Sequence, residues 1–182
     1  MIDRTASLDA LHADFRATGT KSMPIAGMIC WAALGIAALF VPAKTTGTLA
    51  LYIMMGILPL AFLLDKMKGV NLFSGAENPL TKLFLTSIVG IGVTVPLVII
   101  GANGAGDAII VVLGMAILAG VIWIPYGWAA DDKVGLIHAV GRAIGCYAAF
   151  VFAPDPYRAT AICGVVVVSY IYSLTFMKTI GR

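Results

Sequence analysis

Six apolar stretches, separated by short links of polar or turn-forming residues, organise this chain. They run over about 23–41, 46–64, 80–100, 108–128, 134–152 and 159–177. Each is close to the roughly 20 residues that carry an α-helix, rising 1.5 Å per residue, across a hydrocarbon core of about 30 Å. Inside that core a segment must satisfy its own backbone hydrogen bonds, and a helix does so. Runs such as Val165-Val166-Val167-Val168 do not alternate apolar with polar, as the strands of a membrane barrel must. The pattern predicts an all-α integral membrane protein whose six-helix bundle fills 23–177, preceded by a polar segment over 1–22 and followed by a tail over 178–182.

The links sharpen the outline. Pro42-Ala43-Lys44 ends the first span, and Thr45 or Thr46 is placed to cap the second. Gly101 to Gly106 reads as a loop of turn formers, with Asp107 as the cap that follows. Ala153-Pro154-Asp155-Pro156 forms another turn, and the longest link runs from Asp65 to about Pro79. Short links make consecutive helices antiparallel neighbours. In the N-terminal segment Leu8, Leu11 and Phe15 share one helical face and Ser7 precedes them as a cap, which predicts a short amphipathic helix lying along the membrane interface. That segment is too polar for the apolar region of a cleavable signal peptide.

Composition agrees with the pattern: 60% of residues are apolar, 12% are charged, and the mean hydropathy is +0.99. A soluble domain carries about twice that share of charge. The net charge of +3 matters less than its placement. Of the 12 Lys and Arg residues, nine (Arg4, Arg16, Lys21, Lys66, Lys68, Lys82, Lys133, Lys178 and Arg182) fall in segments on one side of the predicted topology, and only Lys44 and Arg158 on the other. By the positive-inside rule both termini face the cytoplasm. No basic run suggests nucleic acid. Cys30, Cys146 and Cys163 lie inside spans without a paired spacing, so neither a disulfide framework nor a metal site is expected.

The twelfth cation, Arg142, is the exception, because it lies within the fifth span with His138 four residues before it and Cys146 four after. That spacing puts all three on one helix face. An arginine about 12 Å into a membrane helix is costly, and its side chain leans back toward the nearer interface. Two readings follow. In one, Arg142 lines a cytoplasm-facing polar pocket and binds an anionic group beside a proton-sensitive His138. In the other, which the nearby carboxylates favour, it forms an ion pair with Asp65, Asp131 or Asp132. Alongside, Gly141 and Gly145 with Ala149 give the small-residue spacing that lets helices approach closely, within one chain or between copies in a homo-oligomer. Pro59, Pro96 and Pro125 mark expected kinks. Trp123 and Trp128, with Tyr126, fit an aromatic belt, while Trp31 lies deeper, between helices. No carboxylate falls inside a span, and no hydrolase, zinc or phosphate-loop motif is present, so no cofactor is expected.

Asp14-Phe15-Arg16, Gly56-Ile57-Leu58-Pro59-Leu60 and Asn78-Pro79-Leu80 together resemble a family of small bacterial membrane proteins catalogued only as a domain of unknown function. The resemblance thins after about residue 120, where the family carries an arginine early in its fourth span and this chain has Val121 and Ile122. It implies a bacterial inner-membrane location and no activity. The expected functions are, in order, a small transporter or channel-like protein of unknown small-molecule ligand, a non-catalytic scaffold or partner subunit, and a membrane-embedded enzyme.

Overall fold

The computed structural model describes residues 6–70 and 76–178, so Arg4 and Arg182 lie outside the described residues. Among the described residues there are helices and no strands: α1 Leu8–Thr18, α2 Ser22–Ala37, α3 Ala43–Met67, α4 Pro79–Gly92, α5 Val95–Ala105, α6 Ile109–Val121, α7 Trp123–Ala130, α8 Lys133–Phe152 and α9 Arg158–Phe176. Five segments are long and apolar enough to cross a membrane: α3, α4 with α5, α6 with α7, α8, and α9. They become six when α1 and α2, bent 54° apart, are joined. The first expected span is the short one. After Ala37 the chain tightens, with the Leu39 and Phe40 amides donating three residues back to Ile36 and Ala37, so α2 keeps only 16 residues.

The prolines explain where the helices divide. A proline ring clashes with the carbonyl four residues earlier and offers it no N–H. Four residues before Pro96 is Gly92, the last residue of α4; four before Pro125 is Val121, the last of α6. Pro96 and Pro125 thus interrupt the helical hydrogen bonding inside spans that remain continuous, whereas α3 runs through Pro59 as one helix. Three expected boundaries move. Gly101 to Ala105 is the last turn of α5, closed by Gly106 at φ 67°. Pro42 takes the start of α3, and the Thr46 hydroxyl donates back to the Pro42 carbonyl at 3.2 Å instead of capping. At the far end of α3 the helix extends past Asp65 to Met67. Ser7, Asn78, Asp107 and Asp132 do accept from amides two or three residues on, at 3.3, 2.9, 2.9 and 3.0 Å.

The core is built from α2, α6, α8 and α9. Trp31, Leu34, Val112, Ala116, Cys146, Ile162 and Val166 are all fully buried there. α3 packs on α2 and α6, while α4 and α5 hang at the periphery with Leu80 and Ala102 as their only buried residues. A second small cluster gathers Phe15, Leu80, Ala129 and Ala130 at one end of the bundle, which is called the α1 end below. There Arg16 donates to the Ala130 carbonyl at the C-terminus of α7, at 2.8 Å. The fully buried Asn78 amide donates to the Leu11 carbonyl and the Asp14 carboxylate at 2.9 and 2.8 Å. Helix α1 is therefore docked on α4 and α7. The opposite end is held by Arg158, which pairs with Asp107 at 3.0 Å and Asp155 at 2.8 Å.

Candidate functional site

Arg142 is the tenth of the 20 residues of α8, and its side chain is fully buried. Its guanidinium lies between two aromatic faces, 5.4 Å from the centre of Trp31 on α2 and 5.2 Å from that of Tyr170 on α9. Ring faces attract a cation that has left water. They leave its in-plane N–H groups to find other acceptors. One does: Nη1 lies 3.4 Å from His138 Nε2. A guanidinium only donates, so Nε2 accepts and the histidine proton sits on Nδ1, which donates to Ser173 Oγ at 2.6 Å. The imidazole is also stacked on Trp123 at 4.2 Å, with the planes 16° apart. Arg142 Nε and Nη2 have no hydrogen-bond partner among the described residues, and neither does the indole N–H of Trp31.

The ion pair expected for Arg142 does not form. Among the described residues, the only carboxylates within 4.0 Å of any basic side chain are those of Asp107 and Asp155, both with Arg158. Asp132 is committed elsewhere, capping α8 and accepting the Lys178 amide at 2.8 Å. Asp131 turns the chain between α7 and α8 at φ 49°. Asp65 sits in the last turns of α3, where its Oδ1 is buried without a hydrogen-bond partner among the described residues. Leaving a buried cation unpaired costs several kcal/mol, so this arrangement has no structural rationale of the usual kind.

Asp65 lines a different feature, an apolar cavity of about 310 Å³. Phe15, Ile57, Phe84, Trp123, Tyr126 and Tyr170 form much of its wall. α3 and α4 flank it without packing together to any comparable degree, and Leu58, Phe62 and Leu85 at its edge are exposed. Thr18, Gly19, Thr20 and Asp65 make its α1 end polar. His138, Arg142 and Cys146 do not line it; Trp123 and Tyr170 stand between, with one face of the wall toward the cavity and one toward Arg142 and His138.

The stripe of His138, Arg142 and Cys146 is thus buried together, with Cys146 Sγ lying 3.9 Å from the Ile162 carbonyl. The small-residue spacing divides: Gly145 lies against Val165 of α9 and Ala149 against the core, but Gly141 faces open space. Trp123 leaves the expected belt for the interior, whereas Trp128 stays exposed. Sequence reasoning missed the ring partners of Arg142 and the role of Ser173. One signal was present: Gly27 on α2 has no side chain where Tyr170 needs room, for a Cβ there would strike the phenol.

No curated protein and no solved structure matches this chain. A family model matches residues 8–179, well past the point at which the resemblance read from short motifs thins. Several of those motif residues meet in space: Asp14 bonds Asn78, and Phe15, Ile57 and Leu58 line one cavity. The chain belongs to this family, a family of unknown function designated DUF7010.

Proposed function

We propose that this is a multi-pass protein of the bacterial inner membrane that takes a lipid-like molecule from the bilayer into the cavity between α3 and α4. The α1 end, where Arg16, Lys21, Lys66, Lys68, Lys82, Lys133 and Lys178 gather, is then the cytoplasmic face, and α2 completes the sixth span. The observation that carries the reading is the cavity itself. Its volume of about 310 Å³ reaches the lower range of ligand pockets, roughly 300–1,000 Å³, and its apolar lining and exposed apolar edge suit a hydrocarbon chain. The unpartnered Oδ1 of Asp65 at the cytoplasmic end suits a donor group, such as an amine or hydroxyl, on the same molecule. Such binding is the first requirement of a carrier. The scaffold reading draws support from the span formed by α4 and α5, whose central window has no buried residue and so has room for a partner.

Trp123 makes the test direct. Variants retaining a single tryptophan, Trp123 or Trp31, are reconstituted in bilayers whose acyl chains carry bromine. Trp123 is only 7% exposed, yet its emission is expected to be quenched, because chains reach it through the cavity, while Trp31 stays bright. Ala61→Phe, which fills the cavity, is expected to restore Trp123 emission. Equal brightness of Trp123 and Trp31 in brominated bilayers would overturn the lipid reading and favour the scaffold.

A further inference from the structure

The two nitrogens of Arg142 that lack a partner are not an arbitrary pair. Nε and Nη2 lie on the same edge of the guanidinium, and their N–H bonds point the same way. They form the fork that grips a carboxylate or phosphate with two parallel hydrogen bonds. The remaining edge is engaged through Nη1 with His138. His138 is in turn fixed by Ser173 on one side and by stacking on Trp123 on the other, so the guanidinium is held rather than free to turn. The third unpartnered group nearby, the Trp31 indole N–H, is also a donor. The three unmatched groups therefore call for acceptors only, and they are bunched around one positive charge.

Gly120 on α6 completes the geometry. A Cβ at this position would come within 3.4 Å of Arg142 Nε and 3.1 Å of its Cδ. The Arg142 side chain thus packs directly on the Gly120 position, where any other residue would press on it and turn the fork. Buried networks of this kind are favourable only when every member is satisfied.

From these observations we infer that Arg142 is an oxyanion site at the centre of the bundle: its Nε–Nη2 fork receives one carboxylate or phosphate group, with Trp31 Nε1 as an auxiliary donor and Gly120 as the close contact that lets the side chain lie where it does. The site is separated from the apolar cavity by Trp123 and Tyr170 and does not depend on what that cavity holds. The oxyanion arrives either as a free solute or as the head group of an anionic lipid.

The test begins with the unaltered protein in phosphatidylcholine nanodiscs in chloride buffer, with intrinsic tryptophan emission as the readout. Inorganic phosphate and acetate are titrated as free oxyanions. In a parallel arm, phosphatidic acid replaces part of the phosphatidylcholine. A saturable emission change with either free anion assigns the site to a solute, and a change only with phosphatidic acid assigns it to a head group. In both cases Arg142→Lys, which keeps the charge and loses the fork, is expected to raise the half-saturating concentration at least about tenfold. If Arg142→Lys does not fold, Gly120→Ala carries the same expectation by crowding Nε. The proposal is overturned if no probe gives a saturable change in the unaltered protein, which would leave the guanidinium to water. It is equally overturned if a folded Arg142→Lys responds like the unaltered protein.

Discussion

The inner helices and the span formed by α4 and α5 use glycine in opposite ways. In the inner group the missing side chains are filled by neighbours wherever a glycine faces another helix, which Gly141 and Gly164 do not. A Cβ on Gly35 would lie 2.9 Å from Cys163 Cβ, and one on Gly145 would lie 2.8 Å from Val165 Cγ1. Gly127 and Gly135 face each other across the turn between α7 and α8, so closely that the two backbones touch. Along the outer span, Gly90, Gly92, Gly101 and Gly104 meet nothing within 4 Å. Association of helices in lipid rests on close van der Waals packing, because lipid tails are as apolar as the side chains themselves. The inner helices have that packing. The outer span is held at its ends, by the Asn78 and Phe15 cluster on one side and by the contact of α5 with α6 on the other. An opening between α3 and α4 is a consequence of that difference, and it is where the apolar cavity lies.

The sharpest way to break the comparison is Gly135→Ala. The new methyl would strike the Trp123 carbonyl and the Gly127 backbone, neither of which can move aside by changing rotamer. The expected loss is about 3 kcal/mol, the upper part of the range for overpacking. It would be measured as a lowered midpoint of thermal unfolding in detergent. An unchanged midpoint would show that α7 and α8 are not packed as tightly as the inner group requires.

Asn78→Ala should have the next largest effect. It removes the cap on Leu80 N and leaves the Leu11 carbonyl and the Asp14 carboxylate without their donor. The expected cost is about 2 kcal/mol, with the loss felt locally. Helix α1 should detach from α4 and become open to limited proteolysis before Ser22, while the inner helices melt as before. Protection that survives the substitution would mean that Arg16 and Phe15 alone hold α1 in place.

How much of this was legible in the sequence depends on which physical rule governed each feature. The long helices follow from apolar length, and all but the short α2 lie near the stretches that pointed to them. Caps at Ser7 and Asp107 follow from local geometry. The loop expected over Gly101 to Gly106 failed because glycine in a hydrophobic environment can stay helical until a left-handed residue, here Gly106, ends the helix. The stripe of His138, Arg142 and Cys146 was visible as a helical period within one span. Its partners were not, because Trp31, Trp123, Tyr170 and Ser173 come from three other helices, and a single sequence does not say which faces meet. The ion pair expected with Asp65, Asp131 or Asp132 failed for the same reason: proximity along a topology diagram is not proximity in space, and each of these carboxylates lies elsewhere.

The smallest expected effect is also the most informative about the outer span. Gly90 lies within α4, and a Cβ there would enter open space. In a helix interior alanine is more favourable than glycine by about 1 kcal/mol, because glycine gives up more backbone freedom when it folds. Gly90→Ala is therefore expected to leave the unfolding midpoint unchanged or to raise it slightly. The same substitution in the inner group, at Gly135, lowers it steeply. A clear loss of stability on Gly90→Ala would mean that something packs against this face of α4 at the distance of a backbone contact. Since nothing among the described residues does, a second copy or a partner subunit is the first candidate. The scaffold reading would then gain on the lipid-binding one, and the two regions would no longer differ in kind but only in whose side chains fill their glycines.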